Sequence, residues 1–381
     1  MNPLPDSPKT LDRRSFIKAA GGAAALAALP LGAAAAAEVT KPVTLAFVGC
    51  AHIHTPGFVK LLQASSTPVR VKSVWDHDPA RSAHRAAELG AAVAASPGEI
   101  WSDREITGVV ICSETNRHRE LVLAAAAAGK HIYAEKPLGI TAADSRDMAE
   151  AVTRAKVLFT TGYFMRTIPQ HLFLKKQVEA GAFGKVTRIT GSNCHNGSLG
   201  GWFDAKPDAP WENWRWMADP SIAGVGAFGD LGTHMLDIMM WMCGGVESVS
   251  AETRVVTGRY GNCDESGEAL LRFRNGVVGS LAASWVDVAN PVTLQICGTE
   301  GNAAIVKGEL FLSSAHIRGA DGKLPWKELP QGPVAPLQQF VEAVSGRTEM
   351  PLVPVSEAAE RVAVMEAAYR SANSGNRVNV A

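Results

Sequence analysis

From residue 43 onward, short apolar runs alternate with stretches whose apolar residues recur every three or four positions. VTLAFVG (43–49) is apolar, β-branched and closed by glycine, which predicts a buried strand. VRVKSVWD (69–76) predicts a second strand, and PARSAHRAAELG after it a helix opened by Pro79 and stopped by Gly90. ITGVVICS (106–113) and KHIYAEKP (130–137) read as further strands, with the helix NRHRELVLAAAAAG between them. A helix from Thr141 to about Lys156 leads to the strand VLFTTG. Repeated strand–helix–strand units imply a parallel, doubly wound sheet, which binds its ligand at the carboxyl ends of the strands.

Beyond about residue 160 strand patterns dominate: KVTRITGSN, VESVSAETRVV, EALLRFRNGVVGSLAASW and PVTLQICG. Asn275-Gly276 between alternating runs is a hairpin turn. Most of these strands have no helix between them, so the second sheet should be largely antiparallel. Two closing helices, near 334–346 and 356–373, return stripes such as Val362, Met365 and Tyr369 to a core. The chain is therefore expected to be an α/β protein, with a nucleotide-binding parallel-sheet domain over 38–160 and an α/β domain over 161–381.

The first 37 residues stand apart from this pattern. DRRSFIKAA (12–20) places Arg13 and Arg14 ahead of a weakly hydrophobic alanine-rich run, with small residues suited to cleavage near Ala37. This is the layout of a twin-arginine signal peptide, and alanine is too weakly apolar for a membrane span. The competing reading is an Ala-rich tail with a chance Arg pair. Lys plus Arg equals Asp plus Glu at 37 each, so no global field favours nucleic acid. The six cysteines form no C-x-x-C pair and no disulfide framework, which argues against a zinc knuckle.

Candidate chemistry begins at VGCAHIHTPGF. Gly49 permits a tight turn, but Ala51 and His54 stand where a G-x-G-x-x-G loop has glycines, and His54 should crowd the helix–strand contact. Asp76 ends the second strand, where a carboxylate accepts from both ribose hydroxyls of NAD and repels the 2′-phosphate of NADP. It could equally start the turn DHDP. His52 and His54 form H-x-H, but no nearby carboxylate or cysteine completes a set, so no metal is expected. The loop GGWFDAKPDAPWENWRWMADP carries Trp202, Trp211, Trp214 and Trp216, which suit a sugar face or simple packing.

GAFGDLGTHMLDIMMWM reads as one helix with two stripes. Phe228, Leu231, Met235, Ile238 and Met242 form a buried seam; Asp230, His234, Asp237 and Trp241 form a second line. Asp230 and His234 lie one turn apart, where the carboxylate can orient the imidazole and raise its basicity. Such a pair can also be a packing pair. Lys136 lies just past a strand end.

Together the EKP segment and G-x-x-x-D-x-x-x-H (Gly226, Asp230, His234) resemble the Gfo/Idh/MocA family of sugar and inositol oxidoreductases. The resemblance runs through NRHREL, EAGAFGKV, LRFRNGVVGSLAASW and AAYRSANSGNRV, covering nearly all of residues 42–380. It implies a Rossmann domain, a second α/β domain whose open sheet mediates homodimers or homotetramers, and catalytic Lys136, Asp230 and His234. His234 would take a hydroxyl proton, Lys136 would steady the charge on that oxygen, and Asp230 would orient His234 or a substrate hydroxyl. Expected cofactor contacts are Gly49, Ala51, His52, Asp76, Ser113, Asn116, His118, Glu135 and Lys136. Expected substrate contacts are Tyr163, Arg166, His195, Trp202 and Trp214.

Twin-arginine export moves folded protein, so NAD would be loaded inside and carried out bound, to the periplasm or beyond. With no outside pool to exchange with, a carbohydrate oxidoreductase would recycle its cofactor in place, through a second substrate or redox-neutral glycosidase or epimerase chemistry. The alternatives are an ordinary sugar or polyol dehydrogenase with exchangeable NAD, and a non-catalytic ligand sensor on the same fold.

Overall fold

Strand β1 (Val43–Val48) is buried almost throughout, as its apolar run predicts, and lies parallel between β2 (Val69–Trp75) and β4 (Gly108–Ile111). The computed structural model describes residues 42–380; the expected signal segment lies outside the described residues. With β3 (Ala92–Val93), β5 (His131–Ala134) and β6 (Phe159–Thr161), the first sheet runs β3-β2-β1-β4-β5-β6, every pairing parallel. Its helices are α1 (Thr55–Gln63), α2 (Pro79–Leu89), α3 (Pro97–Ser102), α4 (His118–Ala127) and α5 (Ala142–Ala155). The α2 signals act as anticipated. Pro79 sits in the first turn, Asp78 accepts from the Ala80 and Arg81 amides, and Gly90 ends the helix at φ +61°.

After α6 (Pro169–Glu179) the chain builds the second sheet from β7 (Val186–Cys194), β8 (Val246–Arg254), β9 (Ser266–Phe273), β10 (Val278–Ser284), β11 (Val292–Gly298), β12 (Gly301–Val306), β13 (Glu309–Ser314) and β14 (Val378–Asn379). The order is β13-β12-β11-β7-β10-β9-β8-β14, antiparallel except for the parallel β7–β10 pair. In β9, Gly267, Ala269, Leu271 and Phe273 point inward, while the outer face bares Leu270. The short α7 (Pro220–Ala223) precedes α8 (Ala227–Cys243).

Helix α8 departs from the two-stripe expectation: among its residues only Trp241 is not buried. It lies on β7 and β10 with one face and under α6 and the C-terminal helix with others, so it needs no solvated stripe. Each buried Phe228, Met235 or Ile238 contributes ~1.5–3 kcal/mol to holding it there.

The closing helices α9 (Pro336–Val344) and α10 (Val355–Ser374) do not stay with the second sheet. Leu337, Phe340 and Val341 join the core of Val43, Leu45 and Phe47 on one face of the first sheet. From α10, Val355, Ala358 and Val362 pack into the first sheet's other core, while Met365 and Ala368 enter the core under the second sheet. Glu366 also accepts the amide of Ala142 at the start of α5 (2.7 Å). The two closing helices therefore tie the described residues beyond 160 to the first sheet as well as the second.

Candidate active site

At the carboxyl end of β1, Gly49 adopts φ +84°, and a Cβ there would lie 2.4 Å from Ser113 Cβ. Glycine is thus required where the β1 loop passes the β4 loop. Ala51 is buried and its carbonyl accepts from Trp216 Nε1 at 3.1 Å. His54 does not crowd the helix. Its ring turns away to donate from Nδ1 to Glu135 Oε1 at 3.1 Å. Asp76 is buried behind this loop, and its oxygens already accept the Cys50 amide (2.6 Å), the Asp78 amide (2.8 Å) and Arg81 Nη1 (3.2 and 3.3 Å). Ser113 is buried with its hydroxyl on the Glu114 carbonyl, and Asn116 is exposed on the following turn.

Strand β5 delivers Glu135 and Lys136 to the same strand ends, where Lys136 precedes a cis proline. The Lys136 ammonium, 3% exposed, donates to Asp230 Oδ1 at 2.5 Å. The other oxygen, Asp230 Oδ2, accepts from Trp285 Nε1 at 3.2 Å. This corrects the expected pairing: the carboxylate holds Lys136 rather than the imidazole one turn away. Burial pushes the Asp230 carboxyl up, but the Lys136 charge and hydrogen bond outweigh it and set it at about 2. His234 is buried, Phe164 meets its ring edge-on at 4.9 Å, and its Nδ1 has no hydrogen-bond partner. Burial, then the charges of Lys136 and His54, drive this imidazole well below its ordinary value, so it is neutral and one ring nitrogen carries a lone pair.

Lys136 and Asp230 share a small cleft with His52, Thr115, Trp216 and Met217. His195 flanks it, half-buried, with Nδ1 accepting the Gly197 amide (2.9 Å) and its ring against Trp202 (4.6 Å). Two wider surface clefts, between α4 and α5 and on the outer face of β8–β10, lie away from these groups.

Four expected contacts are committed elsewhere. His118 is wholly buried; Nδ1 faces the carbonyls of Pro137 (3.1 Å) and Leu138 (3.2 Å) and Nε2 that of Ser113 (3.2 Å), so it fixes the turn after Lys136. Tyr163 is buried with its hydroxyl on Thr233 Oγ1 at 3.0 Å. Arg166 forms a forked pair with Asp237 (2.7 and 2.6 Å) and reaches Glu357, in a network completed by Arg361. Trp214 is buried, with the Lys206 ammonium 3.4 Å over its ring.

The H-x-H pair does have a carboxylate: Glu135 lies 3.1 Å from His54 Nδ1 and 3.8 Å from His52 Nε2, a spacing that could take a metal ion. Yet His52 Nδ1 accepts the His54 amide at 3.2 Å, which leaves the ring proton on Nε2, the atom facing Glu135. That tautomer turns the Nε2 proton toward the Glu135 carboxylate, beyond hydrogen-bond distance, whereas a metal ligand needs the Nε2 lone pair. Burial depresses the His52 imidazole to about 3, against the pull of Glu135.

A loop with no Cβ at its turn, buried carboxylates at the β2 and β4 ends, and a buried lysine at the β5 end fit a dinucleotide. Residues 43–163 match the model of the oxidoreductase family with an NAD-binding Rossmann fold, and residues 171–304 that of the GFO/IDH/MocA C-terminal domain. The chain belongs to the Gfo/Idh/MocA family. Residues 10–30 match the model of the twin-arginine translocation signal. Among the described residues no helix is long and apolar enough to cross a membrane. Levoglucosan dehydrogenase of Pseudarthrobacter phenanthrenivorans is 31% identical over 63% of this chain and 65% of its own. The scyllo-inositol 2-dehydrogenase (NAD(+)) of Bacillus subtilis is 27% identical over 84% of this chain and 92% of its own. A solved levoglucosan dehydrogenase, in complex with NADH and levoglucosan, shares the fold at TM-score 0.73 and 24% identity, over 89% of this chain and 100% of that one.

Proposed function

We propose that this protein is an exported oxidoreductase that acts on a hydroxyl of a sugar or sugar derivative with a tightly held, internally recycled NAD. The observation that carries the chemistry is the buried Lys136–Asp230 pair beside a neutral His234 whose Nδ1 has no partner. Bound NAD supplies a hydride acceptor that can also return the hydride. Gly49, Ala51 and Ser113 would line its phosphate path, with Asp76 and Glu114 at the adenosine end and Lys136 at the other. His234 takes the hydroxyl proton. Lys136 stabilises negative charge growing on that oxygen, and Asp230, itself held by Trp285, keeps the ammonium aimed. Burial of all three excludes water from the exchange.

Retention of the cofactor is supported by a strap from the second half of the chain. Trp211 stacks on His84 of α2 at 4.2 Å, and Trp216 bonds the carbonyl of Ala51, so the segment between them crosses the carboxyl side of the first sheet. A cofactor carried to the periplasm or outside the cell, where none is free, suits redox-neutral or two-substrate chemistry. The names of the relatives favour the second reading, an ordinary NAD-dependent sugar or polyol dehydrogenase. The intact Lys136–Asp230 pair argues against a non-catalytic sensor. The exposed Leu270, Val278 and Val292 on the outer face of the second sheet support association with a second copy.

The test is to purify the mature protein without added nucleotide, denature it and quantify NAD(H). Stoichiometric release is expected, and in a separate undenatured sample reduction of the bound cofactor on adding sugars. Empty protein that becomes active only with added NAD would establish the exchangeable dehydrogenase instead.

A further inference from the structure

The adenosine end of the first sheet contains a carboxylate that the strand pattern alone does not bring forward. Asp76, the residue expected to hold the ribose, has both oxygens engaged by the Cys50 and Asp78 amides and by Arg81. Glu114 enters the same cluster from the loop after β4. Its Oε1 accepts from Arg81 Nη1 at 3.2 Å, and His77 stands 3.3 Å from this oxygen and 3.3 Å from Asp76 Oδ1. Its Oε2 is buried and has no hydrogen-bond partner; Arg117 Nε, at 4.0 Å, is too far to donate.

A buried carboxylate oxygen without a donor is costly unless something else supplies one. We propose that Glu114 sets the cofactor choice: its Oε2 accepts a ribose hydroxyl of NAD, and its charge excludes the 2′-phosphate of NADP. Arg81, the cation a 2′-phosphate would need, is already divided between Asp76 and Glu114. Asp78 adds a third carboxylate 3.8 Å from the same guanidinium. A phosphate entering here would meet more negative than positive charge in a partly desolvated site, where repulsion is poorly screened. The proposal rests on the dinucleotide reading of the first sheet and is independent of the sugar reading.

The experiment titrates NAD+ and NADP+ separately into protein freed of bound nucleotide, following quenching of tryptophan fluorescence, with circular dichroism to verify the fold of each variant. Wild type should favour NAD+. Glu114→Gln keeps the shape and removes the charge, so the preference should narrow by ~10-fold or more, the scale of one close charge–charge contact. Glu114→Asp keeps the charge with a shorter reach, so NAD+ should bind more weakly while NADP+ stays excluded. An unchanged preference in Glu114→Gln, or an equal narrowing in both variants, would overturn the assignment. Wild type that binds neither nucleotide would instead sink the dinucleotide reading itself.

Discussion

Removing either member of the Lys136–Asp230 pair should damage the protein more than removing both. Lys136 is 3% exposed and its ammonium lies 2.5 Å from Asp230 Oδ1, so each charge was taken out of water for the other. Asp230→Asn leaves the bond from Trp285 possible but strands a buried ammonium; Lys136→Met strands a buried carboxylate. Loss of one partner of such a pair typically costs ~3–5 kcal/mol, whereas replacing both with neutral groups is often close to neutral. The double variant should therefore be no less stable than the worse single, with a coupling of on the order of 3 kcal/mol. Urea unfolding of the four proteins without nucleotide measures this, with slopes compared to verify that the same surface is exposed. Trp285→Phe serves as a reference, losing one hydrogen bond for ~1 kcal/mol. Losses in the two singles that add to within ~0.5 kcal/mol in the double would refute the claim that these charges hold each other.

His234→Ala should lower single-turnover reduction of the bound nicotinamide by ~10²–10⁴-fold while leaving nucleotide retention nearly intact; wild-type rates would remove His234 from the chemistry. Acid should destabilise the protein well before its carboxylates protonate. His52 titrates at about 3 when folded and near 6.5 unfolded, so its contribution is complete above 6.5 and lost progressively as pH falls toward 3. That amounts to ~2 kcal/mol at pH 5, with His234 adding in the same direction; an unfolding midpoint equal at pH 7.5 and pH 5 would contradict it. All six cysteines are free in the structure, so denatured mature protein should titrate six thiols, and two or more disulfides would argue for export in an unfolded state.

In the first sheet β1 and β4 were legible because they are buried on both faces and read as unbroken apolar runs, while β2 was legible from its β-branched residues despite Arg70 and Lys72. α1 escaped notice because Pro56 and Gly57 sit in its first turn and the loop before it lacks a helix-capping residue. The β12–β13 hairpin escaped because its turn is Lys307-Gly308, with Lys307 at φ +51°, where Asn is the usual signal. In the site, local spacing offered His234 as the partner of Asp230. The real partner is Lys136, 94 positions away, and Trp285 is 55 away. The same limit applies to Arg166, whose carboxylate is 71 positions distant. Periodicity tells which face a side chain shares, and says nothing of which distant strand end arrives beside it.

The return of the chain to its beginning has a consequence for how the protein is made. Phe340 packs on Gly108 of β4, and Leu337 and Val341 complete the same core, yet all three are synthesised after β7 to β13 of the second sheet, with only β14 still to follow. A ribosome-bound chain that has emerged only as far as residue 330 carries a first sheet with one face uncovered. Its nucleotide cleft gains its final shape only when translation is nearly finished. If the protein is exported with its cofactor as proposed, capture would be confined to the interval between release from the ribosome and passage through the membrane, and shortening that interval should raise the share of exported protein that arrives empty.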